Sequence, residues 1–126
     1  MNKKKPKILV VDDEPDVVSL LETMFKSHDC DVIVARNGQT ALEMARKNKP
    51  SLILLDVMLP KIDGYRVARM LKFDENFRHI PLIFLTAKIQ ERDKKIGKEM
   101  GADAYITKPF ELDVLWQEVQ KLLGAE

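Results

Sequence analysis

The sequence predicts a doubly wound α/β domain built on a five-stranded parallel sheet. Two patterns carry that expectation. Five short apolar runs, Ile8–Val11, Val32–Ala35, Leu52–Leu55, Leu82–Leu85 and Ala104–Ile106, are rich in Val, Ile, Leu and Ala, with little polar alternation. Strands covered on both faces read this way. Each run is followed by a longer stretch of helical period. Strand–helix alternation of this kind, repeated five times, implies right-handed crossovers and helices on both faces of the sheet.

The elements follow in order. After the first run, Val17, Val18, Leu20, Leu21, Met24 and Phe25 recur at helical spacing, and Pro15 suits a first turn. Asn37-Gly38 opens a second helix with the stripe Ala41, Leu42 and Ala45. Val67, Ala68 and Leu71 form a third, after Asp63-Gly64. A fourth, near residues 88–100, is mostly charged, with Glu91, Arg92, Asp93, Lys94, Lys95, Lys98 and Glu99 forming a mixed, solvated face. It closes at Gly101, a candidate left-handed C-terminal cap. The fifth carries Leu112, Leu115, Val119, Leu122 and Leu123.

At 126 residues the chain suits one domain. Apolar residues make up 45% and charged residues 33%, as in globular proteins with a core. A formal net charge of +1 predicts neither a strong nucleic-acid field nor direct nucleic-acid binding. The single Cys30 cannot form an internal disulfide and reads as a packing residue in a reducing compartment. The lysine-rich start meets an apolar run of four residues, Ile8–Val11, far short of a signal-peptide core. No stretch approaches the ~20 apolar residues of a membrane span. A cytoplasmic protein without membrane association is expected.

Polar residues stand where the apolar runs stop. Asp12 and Asp13 follow the first, Asp56 the third, Thr86 the fourth, and Lys108 comes just after the fifth. A parallel α/β fold gathers the carboxyl ends of its strands onto one edge, where these groups can form a single site. Like charges ~4 Å apart repel by about 4 kcal/mol at an effective dielectric near 20. Three clustered carboxylates therefore take up protons or hold a cation. Mg²⁺ is the natural occupant, since it takes one or two carboxylates and keeps positions open for phosphate oxygens. A carboxylate beside it can act as nucleophile toward a phosphoryl donor. Lys108 supplies a fixed positive charge and Thr86 a short hydroxyl donor, which suits a reaction governed by positioning and charge neutralisation.

These residues closely resemble a known family. Val10-Val11-Asp12-Asp13-Glu14, Leu54-Leu55-Asp56-Val57-Met58-Leu59-Pro60 followed by Asp63-Gly64, Leu85-Thr86-Ala87 and Lys108-Pro109-Phe110 are similar to the receiver domain of two-component response regulators. The resemblance implies a flavodoxin-like (βα)5 sheet of strand order 2-1-3-4-5, an order for which a family member serves as a standard example. It implies that Asp56 accepts a phosphoryl group from a histidine kinase or phosphotransfer protein in a Mg²⁺-dependent reaction. Asp12, Asp13, Asp56 and the backbone carbonyl of Met58 would hold the metal, and Lys108 would pair with the phosphoryl group. Thr86 would be the switch hydroxyl, Tyr105 the switch aromatic, and the bond before Pro109 cis. Met58 and Lys88, two positions after Asp56 and Thr86, would tune how long the modification persists.

The resemblance further implies a signalling module that turns over no separate substrate. It would act on a downstream protein through the surface of the fourth helix, fifth strand and fifth helix, as a monomer or weak dimer. Residues 1–6 are expected as a flexible tail and 7–124 as the receiver domain, with no output domain.

Other readings use the same residues. Taken singly, Asp12 or Asp13 can cap the first helix, Thr86 the helix after it, Lys108 can be a loop residue, and Tyr105 a core or edge aromatic. Trp116 and Phe110 read as packing residues of the last helix, and His28 and His79 as surface or loop histidines. A Mg²⁺-dependent phosphohydrolase with an aspartyl nucleophile is the alternative function. It usually carries its nucleophile on the first strand, with a second acid two residues on and a cap domain. A nucleotide or flavin binder would want a Gly- or Ser/Thr-rich loop after the first strand, where Asp12-Asp13-Glu14 repels phosphate.

Overall fold

The computed structural model describes residues 5–87, 95–96 and 98–124. Its elements run β1 (Lys7–Val11), α1 (Pro15–Ser27), β2 (Asp31–Ala35), α2 (Gly38–Asn48), β3 (Leu52–Leu55), α3 (Gly64–Lys72), β4 (Leu82–Thr86), β5 (Ala104–Thr107) and a last helix, Leu112–Leu123. The expected helix over residues 88–100 lies largely outside the described residues; 95–96 and 98–99 are helical. Gly101 then adopts φ 90°, the left-handed geometry expected of it, and its N–H donates to the Lys98 carbonyl at 3.0 Å.

The five strands form one parallel sheet in the order β2-β1-β3-β4-β5. The chain builds outward from β1 to β2, then crosses back to the other side of β1 for β3. The direction of growth therefore reverses between β1 and β3, and a crevice opens beyond their carboxyl ends.

Alternation along each strand divides the core into two layers. Leu9, Val11, Ile53, Leu55, Leu82 and Phe84 pack against Ala41, Leu42 and Ala45 of α2 and Val67, Ala68 and Leu71 of α3. Ile8, Val10, Leu52, Leu54, Ile83 and Leu85 face Val18, Leu21, Met24 and Phe25 of α1 and Leu115 and Val119 of the last helix. Both faces are thus dry, which is why the strands carry no polar alternation. Cys30 is buried in the second layer. Trp116 packs edge-on to Phe25 at 6.3 Å and stacks on His28 at 3.8 Å, so the surface histidine has an aromatic neighbour that the sequence did not indicate.

The helix starts follow local chemistry. Pro15 opens α1 behind Glu14, which makes no side-chain cap. Asn37 accepts from the Thr40 N–H at 2.9 Å to cap α2, and Asp63 accepts from the Arg66 N–H at 3.0 Å to cap α3.

Candidate functional site

Backbone pairing continues past the strand ends and sets the site. Val11 is in register with Leu55, and the Asp56 N–H donates to the Val11 carbonyl at 2.9 Å. Asp12 and Asp56 are thereby placed side by side across the crevice. Thr86 is in register with Thr107, and the Lys108 N–H donates to the Thr86 carbonyl at 2.9 Å. The peptide between Lys108 and Pro109 is cis.

Among the described residues, the buried polar side chains are Asp12 (1% exposed), Asp56 (5%) and Thr86 (0%). All three stand at this edge. Carboxylate oxygens of Asp12, Asp13 and Asp56 lie within 4.8 Å of one another. The Lys108 Nζ is 2.7 Å from Asp12 Oδ2, 2.9 Å from Asp56 Oδ2 and 2.7 Å from Glu14 Oε1. One ammonium therefore answers three carboxylates, while Asp13, on the rim of the cluster, is exposed. Glu14 was missed as a member of this cluster. The adjacent acids were visible in the sequence, but nothing in their spacing showed which would reach Lys108.

Each carboxylate has a second hydrogen bond that fixes its orientation. Asp12 Oδ1 accepts from the Glu14 N–H at 2.9 Å, and Asp56 Oδ1 accepts from the Met58 N–H at 2.9 Å. Asp12 does not cap α1 in the usual sense; it holds the turn before the helix. Burial pushes the Asp12 carboxyl above its ordinary range, more than Lys108 and the Glu14 N–H pull it down, and the charge of Asp56 adds to the rise. For Lys108, burial acts against the ammonium, but the hydrogen bonds it donates to Asp12, Glu14 and Asp56 outweigh this and drive its pKa upward. The cation is fixed at any physiological pH.

Thr86 Oγ1 is fully buried and has no hydrogen-bond partner among the described residues. A buried hydroxyl without a partner is uncommon and fits a donor that meets its acceptor in another state. Tyr105 is half-buried over Phe84, on the α3 side of the sheet. Met58 is 58% exposed beside Asp56, and Lys88 lies outside the described residues.

Gly64 is a second feature that sequence reading undervalued. A Cβ there would lie 2.2 Å from the Asp56 carbonyl oxygen, so α3 begins in direct contact with the backbone of Asp56.

The donor set fits a hard divalent ion: three carboxylates converge, all ligands are oxygen, and two of the carboxylates are already oriented by backbone amides. Fold and site together define an open, doubly wound α/β domain with an acidic cation pocket and a fixed lysine at its switch point. The chain belongs to the response regulator receiver domain family, whose family model it matches over residues 8–120. It is a signalling domain of two-component systems, and receiver domains of response regulators interact with histidine kinases and downstream effectors.

Individual relatives agree. The chain is 50% identical over 110 residues to the alkaline phosphatase synthesis transcriptional regulatory protein PhoP of Bacillus subtilis, covering 87% of this chain and 44% of that one. The receiver domain of the Pseudomonas aeruginosa sensor histidine kinase PA1611, solved with a magnesium ion coordinated in its active-site cleft, superposes with a TM-score of 0.89. It shares 31% identity, over 97% of this chain and all (100%) of that one. The BeF3-activated N-terminal receiver domain of Klebsiella pneumoniae RstA gives a TM-score of 0.84 at 34% identity, over 93% and 97% of the two chains. The chain spans about half the length of the first curated relatives it matches. These proteins are response regulators and receiver domains, and they lend no support to the phosphohydrolase alternative. No described helix is long and apolar enough to cross a membrane.

Proposed function

We propose that Asp56 is the phosphoacceptor of this receiver domain. The observation that carries the reading is the buried Asp56 carboxylate held between the Met58 N–H and Lys108, with Asp12 and Asp13 alongside. A free oxygen lone pair of Asp56 attacks the phosphorus of a phosphohistidine on a histidine kinase or phosphotransfer protein. The new O–P bond forms as the P–N bond breaks, and the electron pair leaves with the imidazole.

Lys108 is positioned to follow the charge. Its ammonium now rests on Asp56 Oδ2, and it would pair with a phosphoryl oxygen once that carboxylate is esterified. The orphan Thr86 hydroxyl would donate to another. Asp12, Asp13, Asp56 and the Met58 carbonyl would hold Mg²⁺, which when bound neutralises phosphoryl charge. Asp12 must be ionised for this, so its upward-shifted titration makes a cation and a proton competitors for the site.

Phosphorylation adds roughly two negative charges to the sheet edge. Thr86 would move toward them and the inward position of Tyr105 would be favoured. The surface of the fourth helix, β5 and the last helix would then change toward a downstream protein. On this reading residues 7–124 are the receiver unit, working in the cytoplasm as a monomer or weak dimer, and it turns over no separate substrate.

The test is incubation with acetyl phosphate and Mg²⁺, read by intact mass. The wild type should gain one phosphoryl group and Asp56→Asn none. A wild type that gains nothing would refute the reading.

A further inference from the structure

Outside the acidic pocket, two phenolic hydroxyls meet. Those of Tyr65 on α3 and Tyr105 on β5 share a hydrogen bond at 2.9 Å, between residues 40 apart in the chain. Phe84 lies beneath both rings. Tyr65 meets it edge-on at 5.2 Å between centroids, and Tyr105 is tilted over it at 5.5 Å. Phe84 is completely buried and in register with Leu55 on one side and Tyr105 on the other. Leu55 immediately precedes Asp56.

Tyr65 reaches Asp56 by a second route. It directly follows Gly64, whose N–H donates to the Val57 carbonyl at 2.9 Å. The missing Cβ of Gly64 leaves room for the Asp56 carbonyl oxygen, which would otherwise lie 2.2 Å away. The first turn of α3 therefore cannot slide on the Asp56 backbone without breaking close packing. The Tyr65 hydroxyl is held in place from the phosphoacceptor loop, and it can bond Tyr105 when that ring lies over Phe84. Rotation of Tyr105 outward about χ1 breaks the bond.

We propose that Tyr65 is a positioning residue that holds Tyr105 inward and so couples the orientation of Tyr105 to the state of Asp56. This rests on the reading of Asp56 as phosphoacceptor and Tyr105 as switch aromatic. One neutral hydrogen bond made in one of two orientations shifts their ratio by about three- to tenfold. Any ligand of Asp56 that favours inward Tyr105 gains affinity by up to the same factor.

The chain has two tyrosines, so fluorotyrosine labelling gives one resonance for each, and Tyr65→Phe leaves that of Tyr105 alone. Tyr65→Phe keeps the ring on Phe84 and removes the hydroxyl. Relative to wild type, its Tyr105 resonance should become more accessible to a dissolved paramagnetic agent. Half-saturation by beryllofluoride with Mg²⁺ should need more ligand, by up to about tenfold. Tyr105→Phe should also weaken beryllofluoride binding, and the losses should combine less than additively in the double variant, because both changes delete the bond that the two hydroxyls share. Additive losses, or a Tyr105 resonance and beryllofluoride affinity unmoved in Tyr65→Phe, would overturn the role of Tyr65 and leave Asp56 as phosphoacceptor standing. A wild type that does not bind beryllofluoride would overturn both.

Discussion

Lys108 reaches Asp56 across the end of the sheet, Nζ to Oδ2 at 2.9 Å, while the same ammonium rests on Asp12 at 2.7 Å. The lysine thus occupies the charge field that a divalent cation and a phosphoryl group would share. It offsets part of the negative charge of the acidic cluster and competes with other cations for it. This double role gives the site a stability signature as well as a chemical one.

Lys108→Ala leaves Asp12 and Asp56 buried without their cation. We expect unfolding free energy in Mg²⁺-free buffer to fall by about 3 kcal/mol, the scale for breaking a buried ion pair from one side. Mg²⁺ should restore part of it, adding more stability to the variant than to the wild type. Denaturant unfolding with and without Mg²⁺ checks this, and an equal Mg²⁺ increment in both proteins would contradict the competition.

Asp13→Asn should act in the opposite sense. Asp13 is exposed and forms no ion pair with Lys108, so its charge mainly repels Asp12 and Asp56. Removing it should raise Mg²⁺-free stability by about 0.5–1 kcal/mol and largely remove the extra stability that Mg²⁺ confers. Thermal melts across a Mg²⁺ series read both effects; a variant that still gains as much from Mg²⁺ as the wild type would remove Asp13 from the cation site.

Gly64→Ala places a methyl against the Asp56 carbonyl oxygen, where the available distance is 2.2 Å. Backbone must move, and we expect a loss of about 2–3 kcal/mol, the upper range for overpacking. Because the displaced segment carries the phosphoacceptor, acetyl phosphate labelling should also slow. A variant of wild-type stability and labelling rate would show that the loop yields freely.

Met58→Asn should shorten the life of the phosphorylated form by about three- to tenfold, since a polar group replaces an exposed apolar side chain flanking Asp56 and no longer impedes water. Decay of labelled protein after removal of acetyl phosphate measures it. Unchanged decay would mean that Met58 does not guard the acyl phosphate.

The sequence by itself determined the strands, the helix starts at Pro15, Gly38 and Gly64, and the placement of Asp12, Asp13, Asp56, Thr86 and Lys108 at strand ends. These are local properties, written in a period of two or 3.6 residues and in the type of residue that ends each run. Strand order entered through resemblance, because apolar periodicity says that a strand is buried but not which strand lies beside it. Only the tertiary structure decided that Lys108 touches Glu14 as well as Asp12 and Asp56, that Gly64 packs on the Asp56 backbone, and that Tyr65 meets Tyr105 over Phe84. Each of those contacts joins side chains or backbone brought together by packing of helix on sheet, and no spacing along a chain encodes a distance across a core.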